Sequence, residues 1–359
     1  MSISTRLAQR LQIYIEPPAC RVRDVAVSIA YLKGGDKEVH TGILTQAGRF
    51  SPDSIRVDSP YSIQSISKSL TAAAVLRLVA MGKLALDNPL AQWLPDVPNA
   101  SRITLRQCLQ HTSGLPEYGA VPAYYEAVKQ QAPPWTFAEF LERTHAKQLL
   151  FEPGQGWRYS NIGYMIVRRL IETVCGKSFT EIISGEVCQP LGLSHTFVIQ
   201  NRDDFQTLVP AYSFSISSDG LPVDVRPRYD PGWVATGVTA STASDLVLFY
   251  ERLFAGLLIP PSLLDEMCSV VRTGVPPTQR CVAPSYGLGL IADPQCPYGV
   301  LYGHNGAGPG YTSIALHVLT PAGQPVTVAV LSNIENVYEV ELLVFTLIDE
   351  LIQDLDATH

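Results

Sequence analysis

Hydrophobic residues occupy every second position near both ends of this 359-residue chain, which is the pattern of β-strands. Residues 24–47 predict two strands, with apolar side chains at alternate positions from Val25 to Tyr31. Near the C-terminus, residues 311–319 alternate around a core and residues 326–331 form a short apolar run. A Pro-Ala-Gly-Gln turn separates these two runs, so they predict a hairpin.

Helical spacing of apolar residues dominates the middle of the chain. The most apolar stretch, Ser65 to Met81, is rich in alanine and predicts a helix that ends near Gly82. Residues 200–235 are rich in turn residues and show no clear period. Apolar periodicity predicts further helices at 7–15, 104–110, 136–145, 164–175, 179–187, 244–253, 261–271 and 337–355.

Strands at both ends with helices between them predict an α+β fold of the α/β sandwich type. The economical arrangement joins the N- and C-terminal strands in one antiparallel sheet flanked by helices, with an all-helical subdomain inserted. We expect residues 1–75 and 240–359 to form the sheet subdomain and residues 76–239 to form the helical one. An active site is expected at the interface between the two subdomains.

Composition narrows the class of protein and of partner. Hydrophobic residues make up 46% of the chain and charged residues 16%, which excludes a disordered or coiled-coil protein. The net charge of −7 argues against nucleic acid or an anionic membrane surface as the main partner. We expect a small-molecule substrate, and the sequence leaves the oligomeric state open.

The apolar runs of the sequence do not match those of a membrane span or a signal peptide. No run of 18 or more apolar residues occurs, so the sequence predicts no membrane-spanning helix. The first residues lack the apolar core of a signal peptide. This predicts a cytoplasmic protein, or a periplasmic or secreted one if a leader peptide precedes Met1.

Cysteine spacing argues against a metal site. Seven cysteines, of which Cys20 is the first, are scattered along the chain without a Cys-x-x-Cys pair. They predict reduced, mostly buried thiols, and the spacing of a zinc site is not present. We therefore expect neither a metal nor an organic cofactor.

Ser65 and Lys68 form the one Ser-x-x-Lys in the chain. At helix positions i and i+3 the two side chains lie on one face, so the hydroxyl and the amine can meet. A serine hydroxyl is a poor nucleophile until a base takes its proton, and a lysine removed from water can have a pKa low enough to help. The pair predicts a nucleophile with its activator, although the spacing alone also fits an exposed helix start.

Two further segments, taken together with Ser65 and Lys68, form an ordered set of three motifs. They are Tyr159-x-Asn161 and His304-x-Gly306, and the second leads into a predicted strand. The order Ser-x-x-Lys, Tyr-x-Asn, basic residue-x-Gly resembles the serine β-lactamases and penicillin-binding peptidases. It is similar to the branch with class C β-lactamases, D,D-carboxypeptidases, D-aminopeptidases, D-amino-acid amidases and β-lactamase-like esterases. Matching loop segments at 111–115, 190–193, 241–246 and 286–289 extend the resemblance over most of the chain.

The resemblance implies a role for each of these residues. Ser65 would attack a carbonyl carbon and become acylated, with its own backbone N–H and that of Ala307 forming the oxyanion hole. Lys68 and Tyr159 would share protons as a coupled pair, which leaves the identity of the general base open. Asn161 would bind Lys68 and the amide oxygen of the substrate.

His304 stands where the β-lactamases carry a lysine that helps to hold a substrate carboxylate. A histidine is mostly neutral at pH 7 and makes a poorer carboxylate anchor. The resemblance is therefore nearer to the D,D-peptidases, D-aminopeptidases and amidases. Gly306 is expected to let the substrate lie against the strand.

Three aromatic residues are candidates for the rim of the substrate cleft, because they lie in predicted loops or directly after a glycine. They are Tyr118, Trp233 and Tyr311. His111 is expected to be a structural residue that bonds to backbone rather than a member of a catalytic triad.

These features predict a serine hydrolase that acts on amide or ester bonds through a covalent acyl-enzyme. A D-amino-acid amidase or D-stereospecific peptidase is the favoured assignment. The alternatives are a short-chain carboxylesterase, a β-lactamase, an acyltransferase, and a penicillin-binding sensor module that does not turn over.

Overall fold

The computed structural model describes most of the chain. The described residues are 5–15, 26–34, 36, 38–45, 55–217, 220–335 and 337–357. The predictions for Val25 and Cys20, and those for the first four residues, lie outside these ranges.

Helices account for most of the described secondary structure. They are α1 Thr5–Gln12, α2 Ser67–Ala80, α3 Leu105–Leu109, α4 Pro122–Lys129, α5 Phe137–Arg143, α6 Asn161–Cys175, α7 Phe179–Ile183, α8 Arg202–Gln206, α9 Ala243–Phe254, α10 Pro261–Cys268 and α11 Val337–Asp356. Short 3₁₀ turns occur at Gln64–Ile66, Leu90–Gln92, Tyr118–Ala120 and Pro231–Trp233, and a π turn follows α7 at Ser184–Cys188.

Thirteen strands are present in the described ranges. They are β1 Ala26–Lys33, β2 His40–Thr45, β3 Tyr61–Ser62, β4 Phe197–Val198, β5 Tyr212–Ser213, β6 Val223–Asp224, β7 Thr239–Ser241, β8 Val271–Arg272, β9 Ser285–Tyr286, β10 Ile291–Asp293, β11 Val300–Gly308, β12 Tyr311–Leu319 and β13 Pro325–Ser332.

The main sheet has eight strands in the order β2-β1-β13-β12-β11-β10-β9-β8, and every neighbouring pair is antiparallel. The N-terminal strand β1 pairs with the C-terminal strand β13, so that Ala30 lies opposite Ala329. The predicted α+β fold, with the terminal strands joined in one antiparallel sheet, is therefore confirmed. The predicted hairpin is formed by β12 and β13.

Both faces of the sheet are covered. Successive strand residues point to opposite faces, and in β13 Val328 and Val330 belong to one core while Ala329 and Leu331 belong to the other. The helices α1 and α11 close the first core, and α2 and α9 close the larger second one. This double burial explains why residues 326–331 are mostly apolar, with Thr327 as the one polar residue, rather than alternating.

Local signals set several helix ends. The helices α3, α5 and α7 begin with capping boxes, in which the first side chain and the one three residues later each accept a backbone N–H. The pairs are Thr104–Gln107, Thr136–Glu139 and Ser178–Glu181. The helix α6 ends at Gly176, which has the left-handed φ of 60° that favours glycine.

Some predicted elements differ in detail. The helix predicted from Ser65 starts with the 3₁₀ turn Gln64–Ile66 and becomes α-helical at Ser67. The helix predicted to reach residue 271 ends at Cys268, because Val271 pairs with Tyr286 in the sheet. In the turn-rich stretch 200–235, the short elements α8, β5 and β6 were not predicted.

The sheet takes its strands from residues 26–45 and 271–332, and α2 to α10 lie between them in the chain. The division into residues 1–75 with 240–359 and residues 76–239 stays a prediction. In the described ranges, no helix combines the length and the apolarity needed to cross a bilayer.

Gly306 in β11 marks a close approach between the sheet and the turn that precedes α2. A Cβ atom at this position would lie 2.4 Å from the carbonyl oxygen of Ile63 and 2.6 Å from Oγ of Ser313. The obstacle at Ile63 is backbone, which cannot rotate away as a side chain can. The glycine thus allows β11 to lie directly against the turn.

We therefore expect Gly306→Ala to lower the free energy of unfolding by about 1–3 kcal/mol, because the added methyl group overpacks this contact. Chemical denaturation measures the change. Gly185→Ala is the matched control, since a Cβ atom there would meet nothing within 4 Å. Equal stabilities for the two variants would contradict the close approach.

Candidate active site

Ser65 lies in the 3₁₀ turn, and Lys68 lies in the first turn of α2. The amine Nζ of Lys68 donates a hydrogen bond to Oγ of Ser65 at 3.1 Å. The predicted meeting of the two side chains within one helical turn is present. Gln64, directly before the nucleophile, has a φ of 48°, a strained value for a residue with a side chain.

Polar contacts hold this end of α2 in place. Ser67 Oγ accepts hydrogen bonds from both the backbone N–H and the hydroxyl of Thr239. Ser69 Oγ donates to the carbonyl oxygen of Gly289 at 2.6 Å and accepts from the hydroxyl of Tyr250 at 3.0 Å. The serines on either side of Lys68 therefore fix the rotation of the helix that carries its amine.

Tyr159 reaches the same oxygen from a distant part of the chain. Its hydroxyl donates to Oγ of Ser65 at 2.8 Å, and the amine of Lys68 lies 5.0 Å from the centre of its ring. Ser160, the next residue, begins α6 by accepting the backbone N–H of Gly163. The helix start thus places Tyr159 outside α6 and Asn161 at its first position.

Burial controls the protonation of this cluster. The side chain of Lys68 is almost fully buried, with 2% of its surface exposed. Removal from water lowers the pKa of Lys68 to about 7, although the negative charge of Glu117 acts in the opposite direction. Burial raises the pKa of Tyr159 well above its usual range, and the hydrogen bond with Ser65 acts against that shift. Near neutral pH, the amine is therefore the group able to accept a proton, and the phenol keeps its own.

Glu117 is a site residue that the sequence analysis missed. Its carboxylate accepts the backbone N–H of Asn161, the Nδ2 of Asn161 at 2.8 Å and the backbone N–H of Gly119 at 2.8 Å. The Nδ2 of Asn161 is thus bound by Glu117, whereas the hydrogen bond of Lys68 in the described structure goes to Ser65, and the expected contact between Asn161 and Lys68 stays a prediction. Glu117 lies next to Tyr118 in a segment already singled out, so an acidic residue beside a predicted cleft residue was the available signal.

A first cavity of about 420 Å³ opens beside the nucleophile. Ser65, Lys68, Asn161 and Ala307 line it, which brings together residues predicted from three segments of the chain. Tyr118, a predicted cleft residue, also lines it. The sequence analysis did not single out the other aromatic and aliphatic residues of the lining, which are Tyr124, Tyr125, Val128, Ile216, Tyr229, Val234 and Val337.

A second cavity of about 360 Å³ lies beside Tyr159. Tyr159 and Asn305 line this cavity, whereas Ser65 and Ala307 line the first. Its walls are mostly apolar and include Trp157, whose buried Nε1 has no hydrogen-bond partner among the described residues. The nucleophile therefore lines the first cavity, and the phenol that contacts it lines the second.

His304 does not contact either space. It is buried, and it lines neither cavity. Its Nδ1 lies 2.5 Å from the carbonyl oxygen of Asn305, so Nδ1 carries the proton and Nε2 accepts from the hydroxyl of Tyr286 at 2.8 Å. Burial, together with the charge of Lys68, lowers the pKa of His304 to about 3. The prediction of a catalytic His304 is corrected accordingly: this neutral imidazole lies too deep to touch a substrate in either cavity.

Two predicted cleft residues are core residues instead. Trp233 is buried against Tyr124 and Trp135, and its Nε1 donates to the carbonyl oxygen of Ala132 at 3.2 Å. Tyr311 is buried and donates its hydroxyl to the carbonyl oxygen of Val209 at 2.7 Å. Neither residue lines the first cavity, and the polar atom of each is satisfied by a backbone carbonyl inside the protein.

Gly306 and His111 both make contacts within the protein. Gly306 is close to the Ile63 backbone and lines neither cavity, so its missing side chain makes room for the protein chain rather than for substrate. The structural role of His111 is confirmed, since its Nδ1 accepts the backbone N–H of Ser160 at 3.1 Å. His111 also lies against the ring of Tyr159, with ring centres 4.3 Å apart.

Comparison with known proteins agrees with this geometry. Residues 21–351 match the beta-lactamase family. The chain belongs to the beta-lactamase family. The resemblance to serine β-lactamases and penicillin-binding peptidases is thereby confirmed.

Relatives include penicillin-binding protein 4* of Bacillus subtilis, which is 28% identical over 74% of this chain and 59% of its own length. This chain therefore spans less than two thirds of that relative. Esterase EstB of Burkholderia gladioli is 27% identical over 80% of this chain and 79% of its own length.

Two solved structures share the fold over nearly the whole chain. A D-stereospecific amidohydrolase from Streptomyces sp. is 28% identical, with a TM-score of 0.76 over 94% of this chain and 97% of its own. The D-amino acid amidase of Ochrobactrum anthropi SV3, complexed with D-phenylalanine, is 25% identical, with a TM-score of 0.78 over 97% and 99%. Together with the family match, these proteins support a serine hydrolase.

We expect hydrolysis of an uncharged ester such as p-nitrophenyl butyrate to rise with pH through a midpoint of about 7, the pKa of Lys68. Below the midpoint the ammonium form cannot accept the proton of Ser65, and above it the neutral amine can. The profile of kcat/KM against pH measures this. A rate that falls across the same interval would contradict the assignment of the amine as the base.

Glu117→Gln should shift that midpoint to lower pH. The negative charge of Glu117 raises the pKa of Lys68, so its removal leaves burial less opposed. Glu126→Gln is the matched control, since Glu126 is a solvent-exposed carboxylate near Lys129 on the surface of α4. A midpoint that stays in place or moves to higher pH in the Glu117 variant would refute the electrostatic link.

Proposed function

We propose that this chain hydrolyses amide or ester bonds through an acyl-enzyme on Ser65. The neutral amine of Lys68 takes the proton of Ser65, and Oγ bonds to the carbonyl carbon of the substrate. The negative charge on the carbonyl oxygen is stabilised by the backbone N–H groups of Ser65 and Ala307. Tyr159 donates its proton to the departing nitrogen or oxygen as the bond to carbon breaks, and Lys68 returns a proton to the phenol.

Deacylation follows the same path with water. The basic group of the Lys68–Tyr159 pair takes a proton from water, and the resulting hydroxide bonds to the acyl carbon. The bond from that carbon to Oγ of Ser65 then breaks as Oγ regains a proton. The observation that carries the proposal is the meeting of three heteroatoms, with Lys68 Nζ at 3.1 Å and Tyr159 OH at 2.8 Å from Ser65 Oγ. One proton can pass among these atoms without any other group.

The favoured substrate is a D-amino-acid amide or a short peptide of D-configuration. The names of the two amidohydrolase structures support this choice. The size and lining of the first cavity also support it, because 420 Å³ bounded by aromatic rings suits an apolar side chain next to the scissile carbonyl.

A short-chain carboxylesterase is the second candidate. Among the described residues that line the first cavity, Lys68 is the one cation, and the nucleophile already uses it. A neutral apolar acyl group needs no ionic partner, and EstB is one of the relatives. The same observation disfavours a β-lactam whose carboxylate would lie in the first cavity, because it would find no further cation there to pair with.

The second cavity suits the part of the substrate that leaves. Tyr159 is the proposed proton donor to the leaving group, and it lines this cavity. An alcohol or amine that occupied the same space would take the acyl group in place of water. Transfer of this kind would resemble the relative named monacolin J acid methylbutanoyltransferase from Aspergillus terreus.

Ser65→Ala should reduce kcat by about 10⁴-fold or more, because it removes the atom that is acylated. It should also abolish labelling by a fluorophosphonate or by penicillin. Mass spectrometry of the labelled wild type should place the adduct on Ser65. Full activity in the variant would refute the proposal. A stable adduct on the wild type without steady-state turnover would identify a penicillin-binding sensor instead.

A substrate panel on the purified protein ranks the candidates. We expect kcat/KM to be highest for D-amino-acid amides such as D-alanine amide and D-phenylalanine amide, lower for p-nitrophenyl butyrate, and lowest for nitrocefin. The L-enantiomers of the amides are the matched controls. A preference for the ester over every amide would favour the carboxylesterase, and rapid nitrocefin turnover would favour the β-lactamase.

A further inference from the structure

One side of the first cavity is formed by residues 212–217, which we call the wall segment. Ser215 and Ile216 of this segment line the cavity. The backbone N–H of Tyr212 donates to the carbonyl oxygen of Asn333 at 3.4 Å, and Tyr212 forms a parallel bridge with Ile334. The wall segment is therefore attached to the chain just beyond the end of β13.

Glu335 follows this attachment, and its carboxylate accepts hydrogen bonds from five donors. Oε1 accepts from the hydroxyls of Ser213 and Ser215, the latter at 2.8 Å, and from the backbone N–H of Gly310 at 3.0 Å. Oε2 accepts from the backbone N–H groups of Phe214 at 3.1 Å and Ser215 at 3.3 Å. A carboxylate has about four lone-pair sites, so these donors use its full capacity. Glu335 lines the cavity, and its carboxylate is held by groups of the protein.

The contact with Gly310 links the wall segment to the strand that carries Ala307. Gly310 lies in the turn between β11 and β12, where its φ is 78°. Gly308 and Pro309, between Ala307 and Gly310, also line the first cavity. One side chain thus joins the wall of the cavity to the end of β11 that faces the nucleophile.

We propose that Glu335 is a positioning residue that fixes the wall segment and thereby sets the size of the acyl group that the enzyme accepts. The inference rests on the proposed acyl-enzyme function and assigns acyl-group selectivity to one carboxylate. The hydrogen bonds of its carboxylate go to the wall segment and to Gly310 and not to Ser65, Lys68 or Tyr159. It acts through Ser215 and Ile216, whose distance from the opposite wall determines the width of the cavity.

A carboxylate is needed here because three partners of Glu335 are backbone N–H groups, which only donate, and they bond to both of its oxygens. Glutamine has nearly the same shape, but one of its two terminal atoms is an NH₂ group that only donates. In Glu335→Gln that group faces either the two backbone N–H groups of Phe214 and Ser215 or the donors at Oε1. Either orientation replaces attractive contacts with donor–donor repulsion, which releases the wall segment.

The test compares two esters with the same leaving group and different acyl groups, p-nitrophenyl acetate and p-nitrophenyl octanoate. We expect Glu335→Gln to raise the octanoate-to-acetate ratio of kcat/KM roughly fivefold or more, as expected for the loss of one or two hydrogen bonds to a charged group. The released wall segment gives the octanoyl group more room and removes contacts from the acetyl group. Amide hydrogen exchange at Phe214 and Ser215 should become faster in the same variant.

Two further variants make the result specific. Ile216→Ala shortens the wall directly, so it should raise the same ratio and leave the exchange at Phe214 unchanged. Glu266→Gln is the matched control, because it removes a carboxylate that pairs with Arg106 away from the lining of the cavity. Its ratio should equal that of the wild type. If Glu335→Gln does not fold, Ser215→Ala removes one donor and keeps the carboxylate, and its ratio should rise in the same direction by a smaller factor.

The inference is overturned if the ratio in a folded Glu335→Gln protein stays within about twofold of the wild type, or if both esters lose activity by the same factor. The latter result would mean a role in stability alone. Failure of the proposed function has a different signature: wild-type Ser65 would not be labelled by a fluorophosphonate. Labelled and active protein with an unchanged ratio would refute the role of Glu335 alone.

Discussion

The burial of one amine is the constraint on which the site depends. An ammonium group is poorly stable away from water, so the side chain of Lys68 favours its neutral form where the sheet and the helices meet around it. The same burial keeps the phenol of Tyr159 protonated. The same burial therefore shifts the pKa values of Lys68 and Tyr159 in opposite directions. As a result, the amine can accept a proton beside Ser65 and the phenol can donate one. Glu117 moderates the effect and keeps the amine near the pH at which proton exchange is useful.

Such a cluster needs a rigid support, because small displacements would separate its atoms. Tyr159 and Ser65 are 94 residues apart in the chain, and their contact depends on the start of α6 lying against the start of α2. Ser67 and Ser69 bind the helix on both sides of Lys68, and His111 holds the backbone at Ser160. On the opposite side, the absence of a side chain at Gly306 lets β11 approach the 3₁₀ turn.

The carboxylates near the cavity serve the protein rather than a ligand. Glu117 is used by Asn161 and Gly119, and Glu335 is used by the wall segment and Gly310. What remains for a substrate is an aromatic surface with the reactive oxygen at one end. Selectivity in such a space comes from shape and size more than from ionic pairing. In the first cavity this suits an apolar side chain or acyl group better than a group that carries a free carboxylate.

Local patterns were sufficient for the order of the elements, the fold class and the Ser-x-x-Lys and Tyr-x-Asn pairs, because periodicity and short spacings are properties of neighbouring residues. Local patterns did not predict that His304, Trp233 and Tyr311 are buried and line neither cavity. They also did not predict the hydrogen bond from Asn161 to Glu117. They also did not indicate Glu335, whose five donors come from two segments distant in the chain. The direction in which a side chain points and the partner that satisfies it are decided by packing between segments far apart in sequence. The shift in the pKa of Lys68 has the same origin, since water is excluded only when those segments come together.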